Sequence, residues 1–199
     1  KLLGERLTSL EAHDICCHLS NAVLSGGARR AAMLALFDAD DTAMITCKNW
    51  DNLKDNFQRF RSNNSVVLFR NEESKEMFYM MWKVTTDSKS GEPGVYFTNN
   101  TTMGSNTCVE TALYPFQMCN LCEINASNIV DQEDLNYRAE CAAFIGTLQA
   151  SYTDFPYLRN CWKEITEKEA LLGVSMTGIA SGKVLDLNLV EAVEAIRKN

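Results

Sequence analysis

Apolar and polar positions fall along the chain in blocks that switch between a helical and an extended period. Thr8-Ser9-Leu10-Glu11 has the form of a capping box. Ala12, Ile15, Cys16, Leu19, Ala22 and Val23 then recur every three to four residues, which predicts a helix ended by Gly26-Gly27. Ala31 to Phe37 is apolar throughout and is closed by Asp38-Ala39-Asp40-Asp41, the pattern of a short buried strand. Helical spacing returns over Asp51 to Arg61, at Leu53, Phe57 and Phe60, and Asn63 to Phe69 reads as a second strand. Residues 73 to 84 suit another helix, Ser88 to Gly94 a turn, Val95 to Thr98 a third strand, and Asn99 to Ser105 a polar loop. An acidic start at Asp131 to Asp134 suits the positive end of a helix that runs to Tyr152, with Gly146 as an interruption. Gly146 to Gln149 and Gly173 to Ser175 read as packing and turn positions. Alternating helices and strands with short links favour an α/β architecture around a mainly parallel sheet.

Composition narrows the function. The 199 residues are 46% hydrophobic, enough for a substantial core in one domain or a large piece of one. A net charge of -7 and a pI near 4.9 argue against nucleic acid or an anionic membrane as partner, since both call for a positive field. No apolar run approaches the roughly 18 to 20 residues that span a bilayer, so the expectation is a soluble, cytoplasmic protein without membrane attachment. Eight cysteines without regular spacing read as reduced thiols rather than a secreted disulfide framework. The chain starts at Lys1 and stops at Asn199 just after an amphipathic stretch, as an internal fragment of a longer protein would.

The segment richest in chemistry is Ser105-Asn106-Thr107-Cys108-Val109-Glu110, followed closely by Cys119-Asn120-Leu121-Cys122. In an extended conformation Asn106, Cys108 and Glu110 share one face while Thr107 and Val109 take the other. An amide that orients a hydroxyl, a sulfur that carries a radical or attacks as a nucleophile, and a carboxylate that takes a proton then stand together. Singly, each residue has a plainer role: Cys108 a small buried hydrophobe, Asn106 a turn former, Glu110 a solvated strand residue. Cys119 and Cys122 also have the spacing of half a zinc site or of a redox pair. His13, Cys16, Cys17 and His18 crowd a single helix without finger spacing and are expected on its surface, and no metal site is assigned.

Asn106-Thr-Cys-Val-Glu110 with Cys119 eleven residues after Cys108 resembles the catalytic segment of ribonucleotide reductases, above all of the adenosylcobalamin-dependent class II enzymes. Ser25 to Ala31, Arg61 to Val66, Gly146 to Ala150 and Leu172 to Gly178 agree with the same family in the same order. The resemblance implies part of a ten-stranded α/β barrel, residues 1 to 199 being a piece of it, with the active cysteine on a finger loop inside. It implies that Cys108 carries a thiyl radical that takes the 3′ hydrogen of a ribonucleotide substrate, that Glu110 acts on the 3′ hydroxyl and that Asn106 holds the sugar. Cys119 becomes one of two thiols oxidised to a disulfide, with its partner upstream of this chain. The cofactor implied is adenosylcobalamin, the reductant a thioredoxin-like protein or a dithiol. Gly26, Gly27, Arg29 and Arg30 fall on the loop between substrate and a deoxynucleotide or ATP effector; from local sequence alone they read equally as a helix C-cap with two surface cations. Cys122 departs from the family, which commonly has threonine there. A redox or zinc-binding module built on Cys119 and Cys122 is the alternative.

Overall fold

The computed structural model describes residues 4–25, 28–29 and 31–198, without the side chains of 24, 25, 28, 29 and 73. The chain divides into two compact units, Lys1–Tyr114 and Pro115–Asn199.

In the first unit helix α1 (Ser9–Ala22) starts at the capping box read from the sequence. The Thr8 hydroxyl accepts from the Glu11 amide, and the Glu11 carboxylate accepts from the Thr8 amide at 2.8 Å. Its buried face is not the apolar one expected. His13, Cys17 and Ser20 are inside, whereas Ile15, Leu19 and Val23 are exposed. The helix also stops at Ala22, short of the glycines.

Strands β1 (Leu24–Ser25) and β2 (Ala28–Arg29) pair antiparallel. Strand β3 (Met33–Phe37) occupies the apolar run, and Asp41 after it caps helix α2 (Thr42–Thr46) by accepting from the Met44 amide at 3.0 Å. The stretch expected to be one helix from Asp51 breaks into α3 (Trp50–Leu53) and a 3₁₀ turn, Phe57–Arg61; Leu53 is buried but Phe57 and Phe60 are exposed.

Strand β4 (Ser62–Phe69), helix α4 (Glu73–Asp87) and strand β5 (Gly94–Thr98) complete a three-stranded parallel sheet in the order β3-β4-β5, with Leu36 opposite Ser65 and Val67 opposite Tyr96. Helical crossovers are what parallel neighbours require. The core lies under β4, where Val66 and Leu68 meet Phe37, Met44, Ile45 and Met81. Short strands β6 (Gly104–Ser105) and β7 (Ala112–Leu113) form an antiparallel hairpin after the sheet.

The second unit pairs strand β8 (Asn120–Asn125) with β9 (Leu172–Thr177) in parallel, linked by helices α5 (Gln132–Ala150) and α6 (Asn160–Glu169) and followed by α7 (Leu189–Arg197). Asp131 caps α5 through the Asp134 amide, and Asp134, held below the usual carboxylate range chiefly by Arg138, accepts from the Val130 amide. Gly146 does not interrupt α5. A Cβ there would stand 2.0 Å from Leu172 Cδ1 and 3.3 Å from Cys122 Sγ, so its missing side chain is what allows α5 to lie on β8 and β9. Ile124, Leu135, Ala139 and Val184 fill this core. Among the described residues no helix is long and apolar enough to cross a membrane.

Candidate active site

Asn106 to Thr111 form the tip of the β6–β7 hairpin, a turn and not the extended conformation on which a shared face of Asn106, Cys108 and Glu110 by alternation depends. The cause is local. Two-residue strands do not hold a hairpin by themselves, and the Asn106 side chain closes the loop by accepting from the Thr111 amide at 3.1 Å. The Asn106 amide donates to the Thr111 carbonyl, the Val109 amide to the Asn106 carbonyl, and the Ser105 hydroxyl to the Thr111 carbonyl. Val109 sits at φ 72°, a left-handed conformation that costs a β-branched residue free energy.

The turn achieves by another route part of what strand alternation was expected to do. The Asn106 Nδ2 group donates to Glu110 Oε1 at 2.5 Å across it. Cys108 lies in the turn between these two partners and is exposed, as is Glu110, while Asn106 and Thr107 are half-buried. Ser105, Asn106 and Thr107 also line a cavity of about 470 Å³ whose other walls include His13 and Cys16 of α1 and Leu34 and Leu36 of β3. That volume is in the range of small-molecule sites.

Strand β4 reaches both the tip and the interior. The Asn63 side-chain Nδ2 group donates to the Thr107 carbonyl at 2.7 Å, and Tyr96 of β5 donates its hydroxyl to the Gly104 carbonyl at 3.3 Å. Asn64, facing the other way and buried, lies 3.1 Å from His13 Nε2 and donates to Cys47 Sγ. Its backbone amide donates to Glu92, whose carboxylate also pairs with the buried Lys48 at 2.7 Å.

Arg59 grips Asp14 through two bonds of 2.7 and 2.6 Å and donates to the Cys47 carbonyl. That bidentate bond holds the Asp14 carboxyl below its usual range and raises Arg59. Burial lowers His13 and pushes the Cys17 and Cys47 thiols up to about 11, so the two sulfurs are protonated and inert as nucleophiles. His13 and Cys17 were expected on a helix surface and are interior. Neither Asn63 nor Asn64 was given a chemical role from the sequence, where the only signal was a polar pair at the start of an apolar strand.

Cys119 belongs to the second unit, half-buried just before β8. Cys122, on β8, packs against the apolar core. Among the described residues no three His, Cys, Asp or Glu side chains are placed to hold a metal ion. Gly26, Gly27 and Arg30 lie outside the described residues, and Arg29 is described only as β2 backbone.

No family model and no solved structure matches the chain. Curated proteins do. The adenosylcobalamin-dependent ribonucleoside-triphosphate reductase of Lactobacillus delbrueckii subsp. bulgaricus is 31% identical over 193 residues, 88% of this chain and 25% of that protein. Proteins of the same name from Lactobacillus leichmannii and Lactobacillus helveticus are each 30% identical, over 88% and 93% of this chain. The chain thus spans about a quarter of the length of the curated relatives it matches. Over that quarter, the chain is similar to adenosylcobalamin-dependent ribonucleoside-triphosphate reductases.

Proposed function

We propose that the protein acts in the reduction of ribonucleotides to 2′-deoxyribonucleotides, the precursors of DNA, with Cys108 as the radical carrier. The observation that carries this reading is the contact between the Asn106 amide and the Glu110 carboxylate across the turn that presents an exposed Cys108. An amide and a carboxyl group in contact form a ready receptor for a vicinal diol, because one donates and the other accepts.

Cys108, as a thiyl radical, takes the 3′ hydrogen atom of the ribose while Glu110 takes the 3′ hydroxyl proton and Asn106 orients the sugar. The 2′ hydroxyl leaves as water. Cys119 and a second thiol outside this chain give up two electrons and two protons, one proton leaving with the 2′ hydroxyl and one ending on C2′, and become a disulfide; Cys108 returns the hydrogen atom to C3′ and Glu110 returns the proton to the 3′ oxygen. Adenosylcobalamin, when bound, supplies the first radical by homolysis of its cobalt–carbon bond. Exposure of Cys108 fits delivery of that radical from outside the turn.

The substrate is a ribonucleoside triphosphate, by the names of the relatives. A deoxynucleotide or ATP effector acts at Gly26, Gly27, Arg29 and Arg30, and a thioredoxin-like protein or a dithiol restores the thiols. The parallel strands of this chain are part of a ten-stranded α/β barrel that encloses the hairpin as its finger loop. Packing of Cys122 against the apolar core disfavours a zinc or redox module on Cys119 and Cys122. In the full-length reductase, Cys108→Ser should abolish reduction and leave nucleotide binding in place; turnover at the wild-type rate would overturn the assignment.

A further inference from the structure

Consecutive residues of a strand project to opposite faces, and on β4 this separates two asparagines. Asn64 is buried among polar partners, while Asn63 is exposed and donates to the Thr107 carbonyl 44 residues away. The Thr107 carbonyl and the Cys108 nitrogen belong to one planar peptide group. A bond that fixes the carbonyl therefore fixes the plane from which Cys108 springs. The bonds that close the turn run among residues 105 to 111 and set its shape, not its place against the sheet. Tyr96 holds only the base of the hairpin, at Gly104.

We propose that Asn63 is the positioning residue for Cys108, tying the tip of the hairpin to β4 so that the sulfur, the Glu110 carboxylate and the Asn106 amide meet the ribose in one fixed geometry. The proposal rests on the radical role of Cys108 given above. Only a side chain with an N–H or O–H group can replace it, because the partner is a carbonyl oxygen. Asn63→Asp keeps the shape and removes the donor, whereas Asn63→Gln keeps the donor on a longer stem.

The test uses the full-length reductase and compares Asn63→Asp, Asn63→Ala and Asn63→Gln with wild type, reading kcat, KM and hydrogen exchange at residues 106 to 111. Misplacement of a reacting group by about 1 Å costs on the order of a hundredfold in rate. Asn63→Asp and Asn63→Ala should accordingly lose about ten- to a hundredfold in kcat with KM within about twofold, and the tip amides should exchange faster. Asn63→Gln should recover most of both losses. A kcat within about twofold of wild type for Asn63→Asp, or unchanged exchange at the tip, overturns the proposal. So does a loss of kcat matched by an equal loss of folded enzyme. Cys108→Ser, run in parallel, separates the two ideas. Reduction that survives in Cys108→Ser defeats the radical assignment itself. Reduction lost there but retained in Asn63→Asp defeats the tether alone.

Discussion

Asn63 and Asn64 serve two regions of the first unit that are built in opposite ways. The region around Asn64 is interior: Arg59 answers Asp14, Lys48 answers Glu92, and His13, Cys17 and Cys47 are stripped of water. The region around Asn63 is a solvent-facing turn whose order comes from short bonds within a few residues and a tether to β4. Polar groups that are buried and paired fix geometry at the expense of desolvation, whereas an exposed turn leaves its thiol and carboxylate free to meet a ligand. Substitutions in the interior should therefore cost stability, and those at the tip should cost turnover.

The largest effect belongs to the tip. Glu110→Gln keeps the size of the side chain and an oxygen for the Asn106 amide but removes the base, so kcat of the full-length reductase should fall about 10² to 10⁴-fold. Its urea unfolding midpoint should stay at the wild-type value. A shift of the midpoint with little change in rate would reverse the division drawn here.

Next comes Asp14→Ala, which leaves the Arg59 guanidinium buried opposite an empty place. Breaking such a pair costs about 3 kcal/mol by the usual scale, and equilibrium urea unfolding should show it. A loss under about 1 kcal/mol would mean that the interior network does not anchor the unit.

A smaller and pH-dependent effect comes from His13. Its pKa in the folded chain is lowered by burial, so below the ordinary value of about 6.5 the unfolded chain takes up a proton that the folded one refuses. Stability is complete above that pH and declines as the pH falls from there toward the folded value. Asp14, also lowered, loses its contribution only below its own ordinary value of 3.8. Unfolding midpoints measured from about pH 7.5 down to pH 5 should fall in wild type and remain flatter in His13→Gln.

Smallest of all is Tyr96→Phe at the base of the hairpin, where loss of one long hydrogen bond should cost less than about 1 kcal/mol and change kcat only a few-fold. A drop as large as that expected for Asn63→Asp would move the anchor of the hairpin from its tip to its base.

What could be read from the sequence was what neighbouring residues decide among themselves. The capping box at Thr8 and Glu11, the acidic start of α5 and the apolar strands β3 and β4 all formed where their local chemistry placed them. Distance in sequence defeated the rest. The buried face of α1 follows from partners such as Asn64, 51 residues from His13, and not from the apolar positions of the helix itself. At Asn106 to Glu110 the alternation suggested a strand, but a side-chain bond to the Thr111 amide and a positive φ at Val109 turned the chain; a β-branched residue gives no warning of such a conformation. Asn63 carried no sign of its role because its partner is a backbone carbonyl, which any residue type could have supplied.

The arrangement at the tip is tested most directly by a crystal structure of the full-length reductase with a bound ribonucleotide. The expected result is a turn at residues 106 to 111 with the ribose hydroxyls within hydrogen-bond distance of Glu110 and Asn106 and the Cys108 sulfur facing C3′. A ribose bound away from this hairpin, or a segment drawn out into an extended strand with Asn106 and Glu110 apart, would contradict it.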